Sequence, residues 1–149
     1  MKYNMKKWVE EYKASERKKA MPVLSFPCVS LLGVTVRELI SDSELQAKGM
    51  KLVAQRTDAA ASVSFMDLSL EAEAFGATVS FSEDEVPTVK GRLITDSDEA
   101  EALRVPEVGS GRTGIYVEAV RKAAQKITDR PVFAGIIGPF SLAARLLDV

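Results

Sequence analysis

Histidine is absent from the 149 residues, and cysteine occurs once, as Cys28. The first absence excludes, within this chain, a Ser-His-Asp triad, a Cys-His dyad and any histidine-ligated metal. The second excludes an internal disulfide and a cysteine-rich zinc site. No apolar run approaches the roughly 20 residues that cross a bilayer. The charged N-terminus carries no apolar segment of a secretory signal. These features point to the cytosol and to no membrane. Aromatics make up only 7% of the chain, but hydrophobic residues reach 46% and charged ones 28%. That balance supports one core-bearing domain and argues against wholesale disorder.

A formal net charge of −1 conceals an asymmetry. Lysine and arginine crowd the first nineteen residues, whereas the stretch from Asp67 to Glu107 is acidic. Glu10, Glu11 and Glu16 interrupt the basic arm, and its aromatics fall on one side, so it reads as a solvated helix face. With a pI near 5.6, no nucleic-acid partner is expected.

Met5, Trp8, Val9 and Tyr12 recur at helical spacing, which predicts an amphipathic helix over 1–20 that ends before Pro22. The apolar run 22–30 reads as a buried strand and its exit, with Pro27 ending the ladder. Two capping boxes follow, Thr35 with Glu38 and Ser43 with Gln46, each opening a helix. In the longer helix Ala47, Met50, Val53, Ala54 and Thr57 form the inward stripe. A second strand spans 60–66, with Asp67 at its end. A short helix from Ser69 to Phe75 stops at Gly76, and 77–94 reads as a hairpin-like excursion within an insertion over about 77–112. A short acidic helix covers 96–103. Gly109-Ser110-Gly111 is a flexible joint before a helix whose inward face holds Tyr116, Ala119, Val120, Ala123, Ala124 and Ile127. A third buried strand covers 132–137, and Ser141 caps a final helix. Strand–helix alternation predicts an α/β fold of about three parallel β/α units over 21–149.

In such architectures ligands gather at the carboxyl ends of the strands. Three places qualify. Asp67 with Ser69 is the first, and the carboxylate is expected to point into a cleft. It is a candidate for proton transfer or for holding a polar substrate, or else a cap for the helix beside it. Gly138-Pro139-Phe140 either lets a ligand approach bare backbone near helix amides or is a tight turn. Cys28 lies in the exit of the first strand, where a buried small hydrophobe is the ordinary reading. The run Gly109-Ser-Gly-Arg-Thr-Gly114 lacks the ending of a phosphate loop and reads as a linker.

Residues 58–76, DAAASVSFMDLSLEAEAFG, and 131–147, PVFAGIIGPFSLAARLL, resemble the uroporphyrinogen decarboxylase superfamily. Within it, Met66 to Gly76 is most similar to the corrinoid-dependent methyltransferases, the methylcobamide:coenzyme M methyltransferases among them. The resemblance runs in order from Met21 onward. It implies a (β/α)8 TIM barrel with its cleft at the strand ends, of which this chain would be the N-terminal portion.

The resemblance also carries expectations for residues. The decarboxylase branch holds pyrrole NH groups with an aspartate after the second strand, a position that Asp67 matches. That branch binds substrate carboxylates through arginines after the first strand, and Leu24 to Gly33 contains none, which argues against decarboxylation of a tetrapyrrole. The methyltransferase branch binds zinc through His and Cys of its later half, and those ligands are missing here. The expectation is therefore methyl transfer between a corrinoid and a thiol in a longer parent, with zinc and a corrinoid as its cofactors and none bound by this stretch, which would be inactive alone. Asp67 is the expected catalytic residue, and Ser69, Gly138, Pro139, Phe140 and Cys28 the substrate contacts. Expected partners are a corrinoid protein and a small thiol or a tetrapyrrole. The alternatives are a uroporphyrinogen decarboxylase and a non-catalytic half-barrel binding or assembly module, and uncovered strand edges would favour a homo-oligomer.

Overall fold

The computed structural model describes residues 3–148; the expected ranges 1–20 and 21–149 run past these limits at residues 1, 2 and 149. The core is built from two long helices, α4 (Ser43–Arg56) and α7 (Thr113–Lys126). They pack against each other and against α2 (Cys28–Leu32) and α3 (Val36–Ser41). Met50, Ala47, Ala54, Ala119 and Ala123 are all buried along this contact. Small residues let the two axes approach, and Met50 fills the gap. A fully buried side chain of that size contributes about 1.5–3 kcal/mol. Lys122 and Lys126 of α7 close the rim on Glu44, at 3.7 and 2.8 Å.

Beside these helices, β1 (Ser62–Val63) and β4 (Val132–Phe133) form a parallel pair with Ser62 opposite Val132. A parallel pair needs a crossover, and α7 with the preceding excursion provides it. Arg130 locks the entry, because its Nη1 donates to the carbonyls of Thr57 and Ala59. The excursion contains an antiparallel hairpin, β2 (Val79–Ser80) with β3 (Thr88–Val89), and the helix α6 (Ser97–Ala102). A short α5 (Leu70–Ala74) follows β1 and packs on α8 (Pro139–Leu147). The expected stop at Gly76 holds: it has φ +103°, and Ala77 N donates to Ala72 O.

Several local expectations are corrected. The run 22–30 does not join the ladder. Pro22 and Pro27 lack amide donors, and the segment is held instead by Ser25 Oγ donating to Val63 O and by Ala60 N donating to Ala20 O. From Cys28 the chain is already helical. Both remaining strands are shorter than predicted, two residues each. The first helix, α1 (Met5–Ala14), ends well before Ala20 because the Lys18 ammonium takes the carbonyls of Tyr12, Lys13 and Ser15. Asp42, not Ser43, caps α4: its Oδ1 accepts from Glu44 N at 2.6 Å and Leu45 N at 3.1 Å. A carboxylate outcompetes a hydroxyl at a helix N-terminus, and Ser43 Oγ accepts from Lys122 instead. Likewise Gly138 precedes α8, with Pro139 in its first turn and Ser141 inside it. Val53 and Thr57 of the expected α4 stripe are only partly buried, and Ala124 of the α7 stripe is exposed. The capping box of Thr35 and Glu38 forms as predicted.

Candidate functional site

Asp67 leaves the end of the β1 segment and its side chain is completely buried. Such a carboxylate requires partners for each of its roughly four acceptor positions, and it has four. Oδ1 accepts from Ser69 N at 3.0 Å and from Ser69 Oγ at 2.6 Å. Oδ2 accepts from Arg112 Nη1 and from the Tyr116 hydroxyl at 3.2 Å. Half of the carboxylate thus caps the turn into α5, as one reading of the sequence held. The other half reaches 45 residues along the chain.

Arg112 stands at the junction of the excursion and α7, and every face of its guanidinium is engaged. Nη1 meets Asp67, Nε donates to Glu73 Oε2 at 2.6 Å, and Nη2 donates to Ser69 Oγ at 3.1 Å. Its Cζ lies over the Phe81 ring, 5.1 Å from the centroid. Burial opposes the charge on Arg112, but the carboxylates of Asp67 and Glu73 outweigh it and hold the group above its ordinary value. Burial first, and then the negative charge of Asp67, push the Tyr116 phenol well above the usual tyrosine range. Tyr116 therefore stays a hydrogen-bond donor at any physiological pH.

Two cavities flank this cluster. One, of about 370 Å³, lies between α5, α7 and the exit of β4, with Leu70, Phe75, Tyr116, Val120 and Ile136 in its walls. The other, of about 220 Å³, is formed by Met66, Leu68 and Ser69 with the hairpin residues Val86 to Val89 and Arg145. Ser64 Oγ accepts from Gly135 N and Glu71 Oε1 from Ile137 N, which fixes the exit of β4 beside the larger cavity.

The sequence-predicted residues separate. Ser69 joins Asp67. Gly138, Pro139 and Phe140 do not; Phe140 is 89% exposed at the start of α8. Cys28 is fully buried against α4, and burial pushes its thiol up to about 11, as its reading as a small buried hydrophobe expects. The expected placing of Asp67 is corrected, since its carboxylate is buried among its partners and does not face an open cleft. Arg112, Tyr116 and Glu73 were missed. Tyr116 looked like an ordinary core position, and Arg112 sat in a stretch that read as a linker. The only local hint was an arginine between glycines directly before a long helix.

A zinc ion does not fit these residues. There is no histidine, the single thiol is sealed in the core, and among the described residues no three ligating side chains come together. No described helix is long and apolar enough to cross a membrane.

Comparison with known proteins places this arrangement. Residues 13–148 match the uroporphyrinogen decarboxylase (URO-D) family. A methylcobamide:CoM methyltransferase, MtbA of Methanosarcina acetivorans, is 29% identical over 82 residues, which are 54% of this chain and 24% of that protein. A solved methyltransferase from Methanosarcina mazei superposes over 98% of this chain and 46% of its own, with TM-score 0.78 and 21% identity. This chain therefore spans less than half of each of these relatives. The likeness to the solved structure establishes the fold, part of a (β/α)8 barrel.

Proposed function

The chain belongs to the uroporphyrinogen decarboxylase family, and from that premise we propose that it forms the N-terminal barrel wall of a methyltransferase working between a corrinoid and a small thiol. The observation that carries the choice of branch is the saturation of Asp67. A carboxylate whose acceptor positions are filled by Ser69, Arg112 and Tyr116 has none left for the pyrrole NH groups of a tetrapyrrole. The absence of arginine between Leu24 and Gly33 supports the same choice, because a polycarboxylate substrate would lack counter-charges there. The relative named for methylcobamide and CoM supports a corrinoid methyl donor and a thiol acceptor.

In this reading any zinc that activates the thiol is held outside these residues, since their donor set does not fit it. The described residues contribute shape: a parallel pair with its strand ends fixed by Ser64, Glu71 and Arg130, and a buried ion-pair cluster that keeps water and competing donors from the barrel wall. The setting that goes with this chemistry is cytoplasmic, with a corrinoid protein as partner.

The test is an assay of the protein alone and mixed with the C-terminal half of the Methanosarcina acetivorans relative. Loss of the methylcobalamin absorbance with coenzyme M as acceptor, in the mixture only, is the expected result. Decarboxylation of uroporphyrinogen by either sample would refute the choice of branch.

A further inference from the structure

Among the described residues, the Asp67 cluster is the one place where buried charges from separate parts of the chain converge. Asp67 comes from the segment that follows β1, Glu73 from α5, Arg112 from the end of the excursion and Tyr116 from α7. Phe81, which stacks on Arg112, follows β2 of the hairpin. One guanidinium therefore joins the strand end to both ends of the excursion 77–112. The cluster also lies between the two cavities, for Ser69 lines the smaller and Tyr116 the larger.

We propose that Arg112 is a resident internal ligand of Asp67, a positioning and specificity-determining residue that closes this carboxylate to N–H-bearing ligands while it fastens the excursion across the strand end. Three features support it. The contacts are those of a bound planar cation: Nη1 to one carboxylate, Nε to a second, Nη2 to a hydroxyl, and Cζ over an aromatic ring. The carboxylate it covers has no other free acceptor position. The guanidinium side chain is only 10% exposed, so no external donor reaches Asp67 while it is in place.

The inference deepens the reading above, because it says which ligands the strand end refuses, but it does not depend on the reaction catalysed. Truncating the side chain empties a guanidinium-shaped space bounded by Asp67, Glu73 and Ser69. A small guanidinium ion would then refill it.

The experiment uses methylguanidinium chloride as the probe, with methylammonium chloride at equal ionic strength as the control. Arg112→Ala should gain a saturable rise in thermal midpoint with methylguanidinium, and a slowing of amide exchange in 79–94 and 103–112. The unsubstituted protein and the double variant carrying both Arg112→Ala and Asp67→Asn should show neither. Should Arg112→Ala not fold by itself, refolding it in methylguanidinium provides the same reading, with recovery expected there and not in methylammonium. In the unsubstituted protein the Arg112 Nε–H resonance should be protected from exchange and unmoved by the probe. Equal responses to the two cations, or none, would overturn the proposal. So does methylguanidinium binding by the unsubstituted protein at Asp67. Each readout is separate from methyl transfer, so failure here leaves the proposed reaction standing, and the reverse.

Discussion

Gly49 of α4 faces Cys28 of α2 so closely that a Cβ at position 49 would lie 2.3 Å from Sγ and 3.2 Å from the Cys28 Cβ. The glycine is thus required by the crossing of two helices, in a position where helix propensity alone would favour alanine by about 1 kcal/mol. Gly49→Ala should destabilise the protein by about 1–3 kcal/mol through overpacking. Adding Cys28→Ala removes the obstructing sulfur, so the double variant should be more stable than the sum of the single effects. Urea midpoints of the four proteins in the cycle measure this, and simple additivity would contradict the contact.

The same thiol sets an alkaline limit. Its folded value is raised to about 11 from an ordinary 9.0. The unfolded chain therefore releases this proton first as pH rises. Stability from the neutral buried thiol is intact below about 9 and falls as pH rises towards about 11. Cys28→Ala should flatten that part of the profile, and the fall that remains above the ordinary tyrosine value of 10.0 comes from Tyr116, which burial and Asp67 also raise, so that its phenol ionises first in the unfolded chain. Denaturant midpoints between pH 8 and 10.5 give the comparison. A thiol reagent at pH 8 should leave Cys28 unmodified until the protein unfolds.

Gln46 is 1% exposed in α4, and its Nε2 has no hydrogen-bond partner. Leaving such a donor unsatisfied costs about 1–3 kcal/mol. Gln46→Met, similar in length and without the donor, should raise the urea midpoint at an unchanged slope. A lower midpoint would mean that the amide is satisfied in solution.

Asp67 and Glu73 share one arginine but differ in burial, at 0% and 28% side-chain exposure. Asp67→Ala should cost about 3–5 kcal/mol by stranding buried groups. Glu73→Gln, at the rim, should cost about 1 kcal/mol or less. Equal costs would contradict the burial difference.

Val108, Val117 and Ile136 are 98%, 62% and 77% exposed near the larger cavity. Apolar surface of this kind favours association. Light scattering should therefore detect a species larger than the monomer at high concentration, and Val117→Lys should reduce it. A monomer throughout the range would argue against the expected oligomer.

Local physics made much of the architecture legible in the residues. The stripe through Ala47 and Met50, the box of Thr35 and Glu38, the stop at Gly76 and the hairpin all depend on near neighbours, and each appears where its pattern placed it. Strand extent was less legible. Whether 22–30 joins a ladder is decided by which backbone lies alongside, and there two prolines and the Ser25 side chain replace ladder bonds. The site was legible only in half. Asp67 could be singled out because an acid ending an apolar segment needs a partner. Arg112 is that partner, and an arginine between glycines, 45 residues further on, does not by itself point to Asp67. Chain folding, which brings the excursion back over the strand end and excludes water from both charges, is what turned two separate residues into one cluster. Pairing of this kind is a property of distance and dielectric, and neither is written in the order of the residues.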